Sequence, residues 1–164
     1  MRFNNFFVLV AALSACAVAS AQTNKYANVG KTATPEEIKA MDLTVLPSGQ
    51  GLPPGKGTAK QGAALYAAHC AMCHGATGKE GGPLAPKLIG DTTWERGPVT
   101  SWPFATSIWD YINRAMPRYD ERVLKPDQVY AVTAFLLFRS GIIKEDDVMD
   151  SKSLAEVPSL REEQ

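Results

Sequence analysis

"HCAMCHG", residues 69–75, sets two thiols three positions apart and an imidazole directly after the second. The stretch ends a helical pattern. "TAKQGAALYAAHC" is predicted as a helix capped by Thr58, with Gly62, Leu65, Tyr66 and His69 on one inward stripe. Downstream, residues 75–105 are rich in Gly, Pro and Thr and give no strand pattern. Two further helices follow. "SIWDYINRAMP" carries Ile108, Tyr111, Ile112 and Ala115 on one face, and Pro117 pushes Met116 out of helical geometry. "KPDQVYAVTAFLLFRSG" has Pro126 at its first position, Gly141 just past its end and an apolar interior nearly all round, which predicts deep burial.

The chain outside these helices divides by composition. Arg2, the apolar run "FFVLVAALSACAVA" and the small residues of "ASAQ" form a leader pattern, with cleavage expected after Ala21 and export to the periplasm. "LSAC", residues 13–16, allows a second outcome, lipidation of Cys16 and attachment to a membrane; either way Cys16 leaves the thiol count. Residues 22–57 read as an arm. Within it "TPEEIKAMD" predicts a short helix over about 35–41, with Thr34 as N-cap, Pro35 at N1 and Glu37 completing a capping box. "DLTVL" reads as extended, and the Gly/Pro-rich residues 47–57 read as a loop. The domain proper spans 58–141, and a charged tail, 142–164, is expected on the surface. The 164 residues, 45% hydrophobic, suit one small domain with extensions. With a formal net charge of zero, a dominant electrostatic partner such as nucleic acid, which would ask for a basic stripe, is not indicated.

A C-x-x-C-H run is the attachment signature of a c-type haem. Cys70 and Cys73 stand near one helical turn apart, so both sulfurs reach the vinyl groups of one porphyrin edge, and His74 follows as proximal iron ligand. A large apolar cofactor also explains a loop as long as 75–105 in so small a core, since loops beyond about 12–15 residues usually have a reason. Competing readings are a redox disulfide, which expects a strand–helix context missing here, and half of a zinc site, for which Cys70, Cys73, His74 and His69 crowd into five residues. A simple structural disulfide is a further one. On the distal side, Met116 before Pro117 is the expected sixth ligand, because methionine opposite histidine is the electron-transfer pairing. Met149, among Asp146, Asp147 and Asp150, reads instead as a surface or gap-filling residue.

Supporting residues follow from the same chemistry. A ligating histidine usually donates its second N–H to a carbonyl, and Pro86 in "GGPLAPKLIG" is the expected acceptor, with Leu84 and Leu88 walling the pocket. Trp94, Trp102 and Trp109 are either propionate donors or core residues. Arg114, Arg118 and Arg122 are either a basic docking rim or solvated charges, and His69 reads as a rim histidine.

Residues 58–141 resemble the class I c-type cytochromes through "GAALYAAHCAMCH", "PKLIG", the distal "MP" and the helix "DQVYAVTAFLLF". The resemblance implies an all-α fold, a few helices wrapped around one covalently bound haem c, with first and last helices crossing near-perpendicular through Gly62, Tyr66, Tyr130 and Leu137. It implies His74 and Met116 as axial ligands. The arm and tail extend a narrower resemblance to the haem subunits of bacterial sulfur-compound dehydrogenases, those acting on sulfite and in thiosulfate oxidation. That family implies a single-electron carrier with no catalytic residues of its own, taking electrons from a molybdenum-cofactor subunit and passing them to a downstream cytochrome or oxidase. A generic carrier of another respiratory chain is the alternative, and a haem enzyme with an open iron position the more distant one. Lys125 departs from the pattern, standing where a capping Ser, Thr or Asp is expected before Pro126.

Overall fold

The computed structural model describes residues 26, 29–90, 97–158 and 160. The leader, Cys16 and Trp94 lie outside them. Contacts divide the chain into two units after Asp42, the second running over Leu43–Gln164.

The first unit holds helix α1, Pro35–Met41, closed by the reciprocal capping box of Thr34 and Glu37 that its sequence predicts. Lys31 adds an ion pair to Glu37 at 2.7 Å, and α1 buries none of its residues.

The second unit is built on helices α2 (Ala59–His69), α3 (Ala71–His74), α4 (Pro98–Ser101), α5 (Ala105–Ala115) and α6 (Pro126–Arg139). Thr58 caps α2. Its Oγ1 accepts from Gln61 N–H at 3.3 Å, and Gln61 Oε1 accepts from Thr58 N–H at 2.9 Å. The α6 start lacks an Asp or Ser cap; Gln128 Oε1 accepts the Lys125 N–H at 2.8 Å, and the Gln128 N–H that such a cap would take donates to Lys125 O at 2.9 Å. At the far end Gly141, at φ +76°, lets Ile142 N–H reach Leu137 O at 3.0 Å and closes the helix. Every residue of α6 from Val129 to Leu137 is buried, so α6 is the centre of the core.

Helix α2 crosses α6 at Gly62. A β-carbon there would stand 1.9 Å from Ala131 O and 2.8 Å from Phe135 Cβ, so only glycine permits this approach. Tyr66 packs its ring on Phe135, with centroids 4.9 Å apart. Gly62 and Tyr66 thus lie at the crossing, but their contacts are Ala131 and Phe135. Tyr130 turns away to Trp109 of α5, at 5.3 Å, and its hydroxyl donates to Pro53 O at 2.9 Å.

Three expectations change. The α2 stripe is Ala59, Gly62 and Tyr66, with Leu65 half-buried and His69 exposed. On α5 the buried face runs through Ile108, Trp109 and Ile112, while Tyr111 is half out, because the larger indole takes the place against Tyr130. The tail is not confined to the surface. Strand β1, Lys56–Thr58, pairs antiparallel with β2, Val148–Asp150, in register Gly57 to Met149. Met149, Leu154 and Leu160 are buried in the same core as α6. Asp42 is extended, at φ −76° and ψ 106°, and residues 42–46 pair with no strand among the described residues.

Candidate haem site

Cys70 leaves the helical conformation at φ −122° and ψ −37°, ending α2 and starting α3. Its carbonyl accepts from both Cys73 N–H, at 3.1 Å, and His74 N–H, at 3.0 Å. One tight turn therefore carries both thiols and the imidazole. Both thiols are half-buried and neither is in a disulfide. Burial, with Cys73 beside it as the lesser cause, pushes the Cys70 thiol up to about 11, so it is held as the protonated thiol at neutral pH.

His74 Nδ1 lies 2.8 Å from Pro86 O. A carbonyl only accepts, so the bond requires the proton on Nδ1 and leaves the Nε2 lone pair for a metal. The chain between the two residues is folded back tightly. Gly78 O accepts from Leu88 N–H at 2.8 Å and from Ile89 N–H at 3.0 Å. At Gly82 a β-carbon would meet Cys73 O at 2.3 Å, so the backbone of this loop lies directly on the cysteine turn. Gly75 O accepts the Tyr66 hydroxyl at 3.1 Å, tying the residue after His74 to the buried face of α2. Leu88 is half-buried and Leu84 is 71% exposed.

Met116 is half-buried at the end of α5, extended at φ −130° and ψ 146°, its N–H on Ile112 O at 3.1 Å. Met149 is held in β2 at 5% exposure. The three arginines near Met116 form no single row: Arg114 is paired to Asp110 on α5, Arg118 lies over the Tyr119 ring at 5.1 Å, and Arg122 sits at φ +66° beyond the helix. Trp102 meets Tyr111 edge-on at 5.1 Å. Trp109 is 1% exposed, and its indole Nε1 is buried with no hydrogen-bond partner, as is Asp110 Oδ1. The sequence leaves Trp109 between two roles and does not single out Asp110, because nothing in helical periodicity marks an unpaired polar atom.

These groups fit a haem by their chemistry. Two unpaired thiols stand on one turn beside an imidazole fixed with Nε2 available, and a buried indole N–H has no acceptor among the described residues. Zinc is poorly served, since no group of three or more His, Cys, Asp or Glu converges among the described residues.

A family model described as cytochrome c oxidase, cbb3-type, subunit III matches residues 57–136. Among solved structures, the fold is similar to a chain of the sulfane dehydrogenase SoxCD from Paracoccus pantotrophus, with 38% sequence identity and a TM-score of 0.69. That match covers 81% of this chain and 68% of the other. A search of the curated proteins found no match. The chain belongs to the cytochrome c family, whose members are haem electron carriers. Within that family it is similar to a component of a sulfane-oxidising dehydrogenase.

Proposed function

We propose that this chain is an exported, periplasmic carrier of single electrons with one covalently attached haem c, serving a molybdenum-cofactor dehydrogenase of sulfite or related sulfur compounds. The observation that carries the site is the His74–Pro86 bond on the cysteine turn, which fixes the imidazole with Nε2 free. The haem iron, when bound, takes up and gives back one electron. Cys70 and Cys73 would hold the group through thioethers, and His74, through Nε2, and Met116 would ligate its iron. Pro86 keeps the His74 ring in one orientation, and Leu88 lines the pocket. The chain supplies fixation, ligand field and exclusion of water, which set the potential. Substrate oxidation belongs to another polypeptide.

The sulfur-compound assignment rests on the likeness to the sulfane dehydrogenase. The oxidase-subunit description of the family model supports a second reading, a carrier of another respiratory chain. Intact mass and co-purification of the chain from the native periplasm separate them. The expected result is a mature chain beginning after Ala21 with one haem added, no lipid on Cys16, and a molybdenum protein that reduces it. A lipidated Cys16 would overturn soluble export. A haem-bearing chain that exchanges electrons with an oxidase and with no molybdenum protein would establish the second reading.

A further inference from the structure

The His74–Pro86 bond joins residues at opposite ends of a loop, and something must hold that loop. The loop contains a closed clasp. Glu80 Oε1 accepts from Thr77 Oγ1–H at 2.7 Å, and Glu80 Oε2 accepts from Thr77 N–H at 3.0 Å. Both carboxylate oxygens are thereby used on one residue. The clasp encloses Gly78, whose carbonyl accepts the two amides of Leu88 and Ile89. Those amides lie just beyond Pro86, so the direction of Gly78 O decides where Pro86 O stands. The same side chain reaches the other end of the loop. A β-carbon on Gly75 would meet Glu80 Oε2 at 2.6 Å and Glu80 Cβ at 2.9 Å, so Glu80 lies against the residue that follows His74.

We propose that Glu80, acting through Thr77 and Gly78, is the positioning residue that sets Pro86 O against His74 Nδ1 and so fixes the orientation of the proximal imidazole. The inference rests on the haem reading above, in which His74 is an iron ligand. Hydrogen bonds from Thr77 draw the Glu80 carboxyl down to about 2, so at neutral pH it is ionised and both its oxygens can accept. A glutamine at 80 retains a carbonyl oxygen for Thr77 and loses the charge. An alanine loses both.

The test uses the full haem-loaded chain and compares the parent with Glu80→Ala, Glu80→Gln, Thr77→Val and, as a control for simple destabilisation, Leu154→Ala. Two quantities are read: hydrogen exchange of the His74 Nδ1–H by NMR in the ferrous state, and the midpoint potential. The expected result is exchange at least tenfold faster in Glu80→Ala and Thr77→Val, with a shifted potential in both. Glu80→Gln returns the exchange rate to near that of the parent, and Leu154→Ala leaves it unchanged. Equal potential shifts in Glu80→Ala and Glu80→Gln, with exchange unaltered, would mean that charge alone matters and would overturn the positioning role. Exchange that merely tracks loss of stability, as fast in Leu154→Ala as in Glu80→Ala, would overturn it too. A parent that carries no haem sinks the functional reading and this inference together; a haem-bearing parent indifferent to Glu80 sinks only the latter.

Discussion

Gly62 of α2 lies so close to Ala131 of α6 that a single added carbon would stand 1.9 Å from the Ala131 carbonyl oxygen. The contact is backbone against backbone, so no rotamer change relieves it. It sets the angle at which α2 delivers Cys70 and the turn after it.

Gly62→Ala is therefore expected to part the two helices despite the better helix propensity of alanine. Overpacking of this kind costs about 3 kcal/mol, a fall of roughly 10 °C in Tm. Thermal unfolding followed by circular dichroism checks it. A variant as stable as the parent would mean that the crossing is looser than described.

The packed tail gives a second expectation. Leu154 is 1% exposed and Met149 5% exposed, in the same core as α6. Leu154→Ala should cost about 2–5 kcal/mol, whereas Met149→Leu, a swap that conserves volume, should cost under about 1.5 kcal/mol. Met149→Leu should also leave the haem spectrum of the ferric protein unchanged, because that thioether is enclosed by β2 and not offered to a ligand site. Denaturant titration and one absorption spectrum test both statements.

Alkaline pH gives a third. Burial, first of all, pushes the Tyr66 and Tyr130 phenols up from 10.0 to about 12. Between these values the unfolded chain releases phenolic protons that the folded chain keeps, so stability is intact below pH 10 and declines as pH rises towards 12. Tyr66→Phe keeps the ring against Phe135 but loses the bond to Gly75 O. It should cost about 1 kcal/mol at neutral pH and make the alkaline decline shallower. An alkaline slope identical to that of the parent would contradict the burial argument.

The parts of this fold written in local rules were legible in the sequence. Thr34, Thr58, Pro126 and Gly141 mark helix ends because caps and fixed φ angles act over three or four residues. The apolar run of α6 announced its own burial. What escaped was non-local. A three-residue strand has too little period to show, so the pairing of Gly57 with Met149 left no trace in "DVMD". On α5, spacing alone ranked Tyr111 with Ile108 and Ile112, while the structure gave the inner place to Trp109 because Tyr130 waits opposite. The two thiols and the imidazole of the site were legible as a motif. The Glu80–Thr77 clasp was not, since a threonine and a glutamate three apart in a Gly-rich loop have no distinguishing signature.

His74 and Met116 are proposed as the two protein ligands of one covalently held haem iron. The most direct test is the absorption spectrum of the periplasmically expressed chain, oxidised and reduced, recorded beside Met116→Ala. The expected result is a c-type spectrum whose near-infrared band of methionine-ligated ferric haem is present in the parent and lost in the variant. A band absent from the parent, or unchanged in Met116→Ala, would contradict the ligand assignment, and a protein without a Soret band from a host competent in haem attachment would contradict the account as a whole.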